Sequence, residues 1–321
     1  MALLAFILRR ITSLILVLLA VSFLVYASVL LLPGDPVTAI LGAEGYDPAI
    51  AAQLRHELGI GEPLPVAFAG WLERAIVGDL GTSVVLSTRT SISTLLMQRL
   101  PVTMELAVLT MVMAVAVGVL LGIVAALRRN TKLDICISVA SLTSYSMPPF
   151  FRGILLILFF SIYIKIFPSG GYFSFFEDPV RNLTLMALPS LSLTLGLMGV
   201  ITRFTRSSMI EAMEKEFITT ATAKGLPERL IIFRHALRNA LIPVVTVAGL
   251  QFGALMGGVV ITETIFGLPG IGSLLVQGIL ERDYPVIQGA TLFVTISFVL
   301  VNTAVDMLYS LIDPRVKIGR R

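Results

Sequence analysis

Residues 102–127 read VTMELAVLTMVMAVAVGVLLGIVAAL, twenty-six positions with one charge, Glu105, followed at once by Arg128, Arg129 and Lys132. At 1.5 Å per residue such a block makes a helix about 39 Å long, enough to cross the ~30 Å hydrocarbon core of a bilayer. Comparable blocks lie at about 11–32, 135–167, 183–202, 239–262 and 286–305. The whole chain follows suit: its 321 residues are 56% hydrophobic and 14% charged, with mean hydropathy +0.93, whereas a soluble domain carries roughly 25% charged residues. The reading is an all-α polytopic membrane protein with six transmembrane helices.

Charge placement orients those helices. The block 135–167 contains Pro148-Pro149 and reads either as one kinked span or as a hairpin. With one span there, the basic segments fall on one face: Arg9 and Arg10; Arg128, Arg129 and Lys132; seven Lys/Arg between Arg203 and Arg238; and Arg315, Lys317, Arg320 and Arg321. Sixteen basic residues then lie in the cytoplasm against six outside, four of the six in a loop too long to count for much. Both termini are therefore expected in the cytoplasm. The first block lacks a small-residue cleavage site before Pro33 and reads as a retained helix.

The same arithmetic excludes several classes. A net charge of +4 serves orientation and gives no reason to expect a nucleic-acid partner. The single cysteine, Cys136, cannot form an intrachain disulfide and reads as a small packing residue. None of the five lysines follows a glycine, so no phosphate-binding GxxxxGK[ST] loop exists, and neither HExxH nor GxSxG occurs. No catalytic residue, metal site or cofactor is expected in this chain.

Three loops are large. Residues 33–101 are expected to form a structured external loop. It has one helix cued by Asp47, Pro48, Leu54, Leu58 and Gly59 and another over Val66 to Val77, with Trp71 and Leu72 available to the membrane interface. It either caps the external mouth or simply connects two spans. Residues 263–285 read as a turn or short re-entrant segment, rich in Gly and Pro. The cytoplasmic segment 203–238 interleaves seven basic and four acidic residues with Met209, Ile210, Met213, Phe217 and Ile218. A helix from Ser207 or Ser208 to Lys224 should break at Gly225, and a second should begin at Pro227. That elbow suits either a soluble partner or an anionic lipid surface.

Several runs add up to a family. Thr219-Thr-Ala-Thr-Ala-Lys-Gly225, followed by His235-Ala-Leu-Arg-Asn-Ala-Leu-Ile-Pro243, resembles the cytoplasmic EAA loop of ABC importer permeases of the dipeptide/oligopeptide/nickel branch. The resemblance continues in order through Gly78-Asp-Leu-Gly81, Leu100-Pro101 with Glu105, Ser146-Met-Pro-Pro-Phe150, Thr262-Glu-Thr-Ile-Phe266, Pro269-Gly-Ile-Gly272, Arg282-Asp-Tyr-Pro285, Asn302 with Asp306, and Asp313-Pro-Arg315. It departs from the general pattern where Thr219 and Thr220 stand in place of Glu and Ala, so no role passes to the missing Glu.

The resemblance implies a type I importer-like permease fold and a multi-pass place in a bacterial or archaeal plasma membrane, the inner membrane if the cell is Gram-negative. It implies a second homologous permease chain, two cytoplasmic ABC ATPase subunits or domains carrying ATP and Mg, and an external substrate-binding protein. The elbow around Thr219, Thr220, Ala221, Lys224, Gly225 and Leu226 would couple ATPase closure to transport, with Gly225 needed for both the turn and a close approach. The solute would be a di- or oligopeptide or a relative such as a nickel chelate. An ATP-independent secondary transporter or channel is the alternative.

Within the spans, Glu105, Glu263 and Asp306 are ionisable groups at costly positions, expected to hold a nearby Arg or backbone amide or to touch the solute path. Asn302 and Asp306, four apart, suit bonding between helices. Gly249, Gly253 and Gly257 form a stripe that admits a close neighbour, lining an interface or the pathway, and Gly118 and Gly122 form a smaller one. His235 reads as a packing or capping residue.

Overall fold

A computed structural model describes residues 2–30, 61–83, 85 and 90–312, with isolated positions 37, 48, 51, 52 and 55; side chains of residues 2–11, 13, 28–30, 256–258 and 306–312 lie outside the description. Thus the cues at Asp47, Leu54, Leu58 and Gly59 and the side chain of Asp306 fall outside the described residues, as does side-chain packing at Gly257. Described regular structure is helical apart from one isolated bridge, Thr82 to Ser91. In chain order the helices are α1 (Ala2–Leu30), α2 (Leu64–Ile76), α3 (Ile92–Leu127), α4 (Lys132–Ser146), α5 (Pro149–Leu156), α6 (Pro179–Met213), α7 (Glu216–Ala223), α8 (Leu237–Phe266), α9 (Ile271–Glu281) and α10 (Tyr284–Ile312). Two π-helical stretches, Ile157–Tyr163 and Ile231–Ala236, prolong α5 and lead into α8.

Four described stretches, Ile92–Leu127, Pro179–Met213, Glu228–Leu255 and Tyr284–Val305, are each long and apolar enough to cross a membrane. The 135–167 block is a bent pair of helices that is long and apolar enough to cross a membrane when its two parts are taken together. Lys132–Ser146 and Pro149–Tyr163 meet at 106°, far beyond a proline kink. Met147, forced from helical angles by the following proline, is extended (ψ 131°), and Pro148 is extended too (ψ 142°), so two residues in succession leave the helix.

The chain forms two compact units, divided near Thr103, Leu268 and Val299, with α3 and α10 running through both. In the first unit α2 follows the sequence reading, but Trp71 is buried and not free for the membrane interface: it lies 5.7 Å from the Tyr26 ring and 6.1 Å from Phe68. Ile92, Leu96, Ile271, Leu274, Val286 and Ala290 form another apolar core of this unit. Asp283, fully buried, accepts hydrogen bonds from Ser83 Oγ (2.6 Å) and Val85 N (3.1 Å), which ties the segment before α3 to the start of α10.

The second unit is built on α6. Asp178 caps it by accepting from Arg181 N at 3.0 Å, and Pro179 opens the first turn, where its missing N–H costs nothing. Small residues let neighbours come close: a Cβ on Gly118 would overlap Ile201, and one on Gly122 would lie 2.5 Å from Thr205 Cβ and 2.8 Å from Thr202 O. Those two glycines therefore pack α3 on α6. Arg206 of α6 grips Asp134 of α4 with two bonds, Nε to Oδ1 at 2.6 Å and Nη2 to Oδ2 at 2.8 Å. Thr131 caps α4 by accepting from Asp134 N. Cys136 is exposed, so it does not serve as an internal packing residue of this chain.

Candidate functional site

The elbow at 214–227 is built differently from its sequence cues. The helix expected from Ser207 or Ser208 to Lys224 is two helices: α6 runs on to Met213, Glu214 and Lys215 interrupt it, and α7 follows. No Gly or Pro marks that interruption. The turn lets Ile218 and Ala221 point back into a buried cluster with Ile123 of α3, Met209 of α6, and Ile232 and Ala236 beyond the elbow. Burial at roughly 25 cal/mol per Å² of apolar surface holds α7 down, because eight residues are too few for a stable isolated helix.

α7 ends in a Schellman motif. Leu226 N donates to Ala221 O (3.3 Å) and Gly225 N to Thr222 O (2.9 Å), with Gly225 at φ +74°. Leu226 then packs on the apolar cluster beside Ala221, which is the hydrophobic contact that accompanies this motif. Nothing lies within 4 Å of where a Gly225 Cβ would stand. Glycine is needed there for its backbone angle; among the described residues no close approach requires it. Pro227, extended at ψ 141°, precedes the next helical turn as its cap and is not its first residue.

The six residues singled out in the sequence thus share one elbow but do two jobs. Ala221 is buried and Leu226 half-buried, seating it; Thr219, Thr220, Lys224 and Gly225 are exposed. Two aromatics are exposed nearby, Phe217 of α7 (38% exposed) and Phe233 of the π-helical stretch beyond the elbow (58%). Arg129 Nη1, just after α3, donates to Glu214 Oε1 at 2.7 Å; the pair is exposed and worth little by itself. His235 lies half-buried in the π-helical stretch, its carbonyl accepting from Asn239 Nδ2 at 2.7 Å.

The glycine stripe meets this chain's own last helix. A Cβ on Gly249 would overlap Val305, and one on Gly253 would overlap Asn302 Oδ1. Gly249 and Gly253 therefore pack α8 on α10. Among the described residues Glu105 finds neither an arginine nor a backbone amide: Tyr172 Oη donates to its Oε2 at 3.0 Å, and its buried Oε1 has no partner there. Burial first, then this bond and the charges of Glu105 and Glu177, push the Tyr172 hydroxyl up to about 12. Glu263 is fully buried near the end of α8, where its carbonyl accepts from Leu268 N at 2.9 Å.

Two basic residues, Arg152 and Lys165, both in the 135–167 block, escape a count of charges by side. Arg152 lies in the middle of the 135–167 block, and the structure buries it in α5 against α6. A cation inside an apolar block was a legible signal in its own right.

Comparison with known proteins decides the family. Residues 118–318 match the family described as the binding-protein-dependent transport system inner membrane component, and residues 3–107 match the N-terminal region of such membrane components. This chain belongs to that permease family.

A Brucella abortus (strain 2308) protein named for a peptide transport system permease is 42% identical over 313 residues, covering 98% of this chain and 99% of that one. The dipeptide transport system permease protein DppB of Escherichia coli K12 is 38% identical over 337 residues, covering 98% and 99%. A chain of the inward-facing MetNI methionine ABC transporter superposes with a TM-score of 0.58 at 18% identity, over 68% of this chain and 96% of that one, and shares its fold. The protein is a permease subunit of an ABC importer, a multi-pass plasma-membrane protein.

Proposed function

We propose that this permease pairs with a second homologous permease chain to form the path for di- or oligopeptides. In this proposal an external binding protein delivers the solute, and two cytoplasmic ATPase subunits or domains, which carry the ATP and magnesium, drive its passage. The spans number six, with both termini in the cytoplasm, so that the elbow faces the ATPases. The peptide assignment is supported by relatives named for peptide and dipeptide transport that match nearly end to end.

The observation that carries the coupling role is the seat of α7. ATP shifts a conformational equilibrium only by interacting differently with its two states, so ATPase closure must push on something that does not yield. α7 qualifies because its inner face is locked into a cluster drawn from α3, α6 and the approach to α8, while its outer face is open. A force on Thr220 or Lys224 is passed to three long helices together. Phe217 gives the outer face an apolar anchor for a groove on the partner.

Cysteine crosslinking tests this reading. With the native Cys136 replaced by serine, Thr220→Cys and Lys224→Cys in the assembled complex should each crosslink to an ATPase subunit. Val180→Cys, exposed at the other end of α6, should not. ATPase crosslinks from Val180→Cys and none from the elbow would contradict the assignment.

A further inference from the structure

Arg152 is 7% exposed in the angle between α4 and α5. Its Nη1 donates to Ser144 O at 2.7 Å, one of the carbonyls left without a helical partner where α4 ends. That bond uses one of five guanidinium donors, and the buried Nε has no partner. A Cβ on Gly196 would overlap the guanidinium nitrogens, so the absent side chain of that glycine makes the space in which the group lies against α6.

The group borders a cavity of about 290 Å³ lined also by Tyr145, Met147, Pro149, Gln251 and neighbouring apolar residues of α6 and α8, with no Asp or Glu in the lining. Among the described residues no ion pair reaches Arg152. A second cavity of about 400 Å³ shares Tyr145 and Gln251 and brings in Arg203, whereas its other arginine, Arg206, is taken by Asp134. A buried cation is tolerated when an opposite charge compensates it. Here the described residues supply one carbonyl and an open space.

We propose that these adjoining cavities are a carboxylate subsite on the solute path. Arg152 holds the anionic end of the transported solute, Tyr145 and Gln251 offer further donors, and Arg203 receives the carboxylate as it moves on. The assignment rests on the peptide reading above, since every linear peptide with a free C-terminus carries such a group. Guanidinium suits the task because its planar fork matches a carboxylate's two oxygens.

The test uses the complete complex of permeases, ATPases and binding protein in proteoliposomes, and a radiolabelled dipeptide beside its C-terminal amide. Arg152→Gln should lower the ratio of free-acid to amide uptake about tenfold, the loss of one charged hydrogen-bonding partner, and Arg152→Lys should restore part of it. Equal loss of both peptides, or an unchanged ratio, overturns the subsite. If Arg152→Gln does not assemble, Gln251→Leu decides: a several-fold fall in the ratio supports the subsite and an unmoved ratio overturns it. A change in ratio seen only with anionic lipid would mean that Arg152 meets a headgroup, which also overturns it. Uptake of neither peptide by the wild-type complex refutes the peptide reading and this assignment with it; uptake of both, with a ratio no variant moves, refutes the subsite alone.

Discussion

Replacing Gly225 separates backbone geometry from side-chain bulk, because the two make opposite forecasts there. The residue sits at φ +74° with open space where a Cβ would be. A clash therefore contributes nothing, and the whole effect comes from the left-handed conformation. An ordinary L-residue pays roughly 1–2 kcal/mol to adopt it, asparagine less, and a β-branched residue more.

A cost of that size shifts the balance between closed and open turn by about 5- to 30-fold. Leu226 then leaves the cluster, and Lys224 and Thr220 lose their fixed presentation. Gly225→Val should thus sharply reduce peptide uptake per ATP hydrolysed in proteoliposomes, while Gly225→Asn should stay near wild type. The larger cluster of Ile123, Met209 and Ile232 is untouched, so both variants should purify with similar thermal stability. Full coupling in Gly225→Val, or equal loss in Gly225→Asn, would refute the argument that the turn matters through its backbone.

Other outcomes follow from the same packing. Ile218→Ala removes a buried anchor of α7 and should cost about 2–5 kcal/mol locally, read as rapid hydrogen exchange across 216–226 and weakened coupling. Gly122→Val drives a side chain into Thr205 and the Thr202 carbonyl and should lower the melting temperature of the purified permease, as overpacking by about 1–3 kcal/mol does. Tyr172→Phe leaves Glu105 without its hydroxyl donor and should destabilise by about 1–3 kcal/mol at neutral pH. Because the Tyr172 hydroxyl titrates at about 12 in the fold against 10.0 when free, its contribution is complete below pH 10 and is lost as pH rises toward 12; Tyr172→Phe should remove that part of the alkaline decline in melting temperature.

Apolar blocks made the long helices legible, since 102–127 or 286–305 has no other stable environment. What escaped was set by contacts distant in sequence. The interruption at Glu214-Lys215 carries no breaker residue; it exists because Ile218 and Ala221 are buried better when the chain turns. Pro148 announced a break, but its 106° angle depends on Met147 and Pro148 both being extended. The stripe at Gly249 and Gly253 announced a close neighbour without naming it, and the neighbour proved to be Val305 and Asn302, some fifty residues on. Trp71 looked interfacial on type alone, until Tyr26 and Phe68 enclosed it. Arg152 was readable as a charge out of place, although its cavity and the space over Gly196 needed three dimensions.

The account rests on this permease having no transport of its own without ATPase partners. Uptake of a radiolabelled dipeptide should be measured in proteoliposomes holding either the permease alone or the whole assembly, each with and without internal ATP. Accumulation confined to the whole assembly with ATP is the predicted result. Accumulation by the permease alone, independent of ATP, would contradict it.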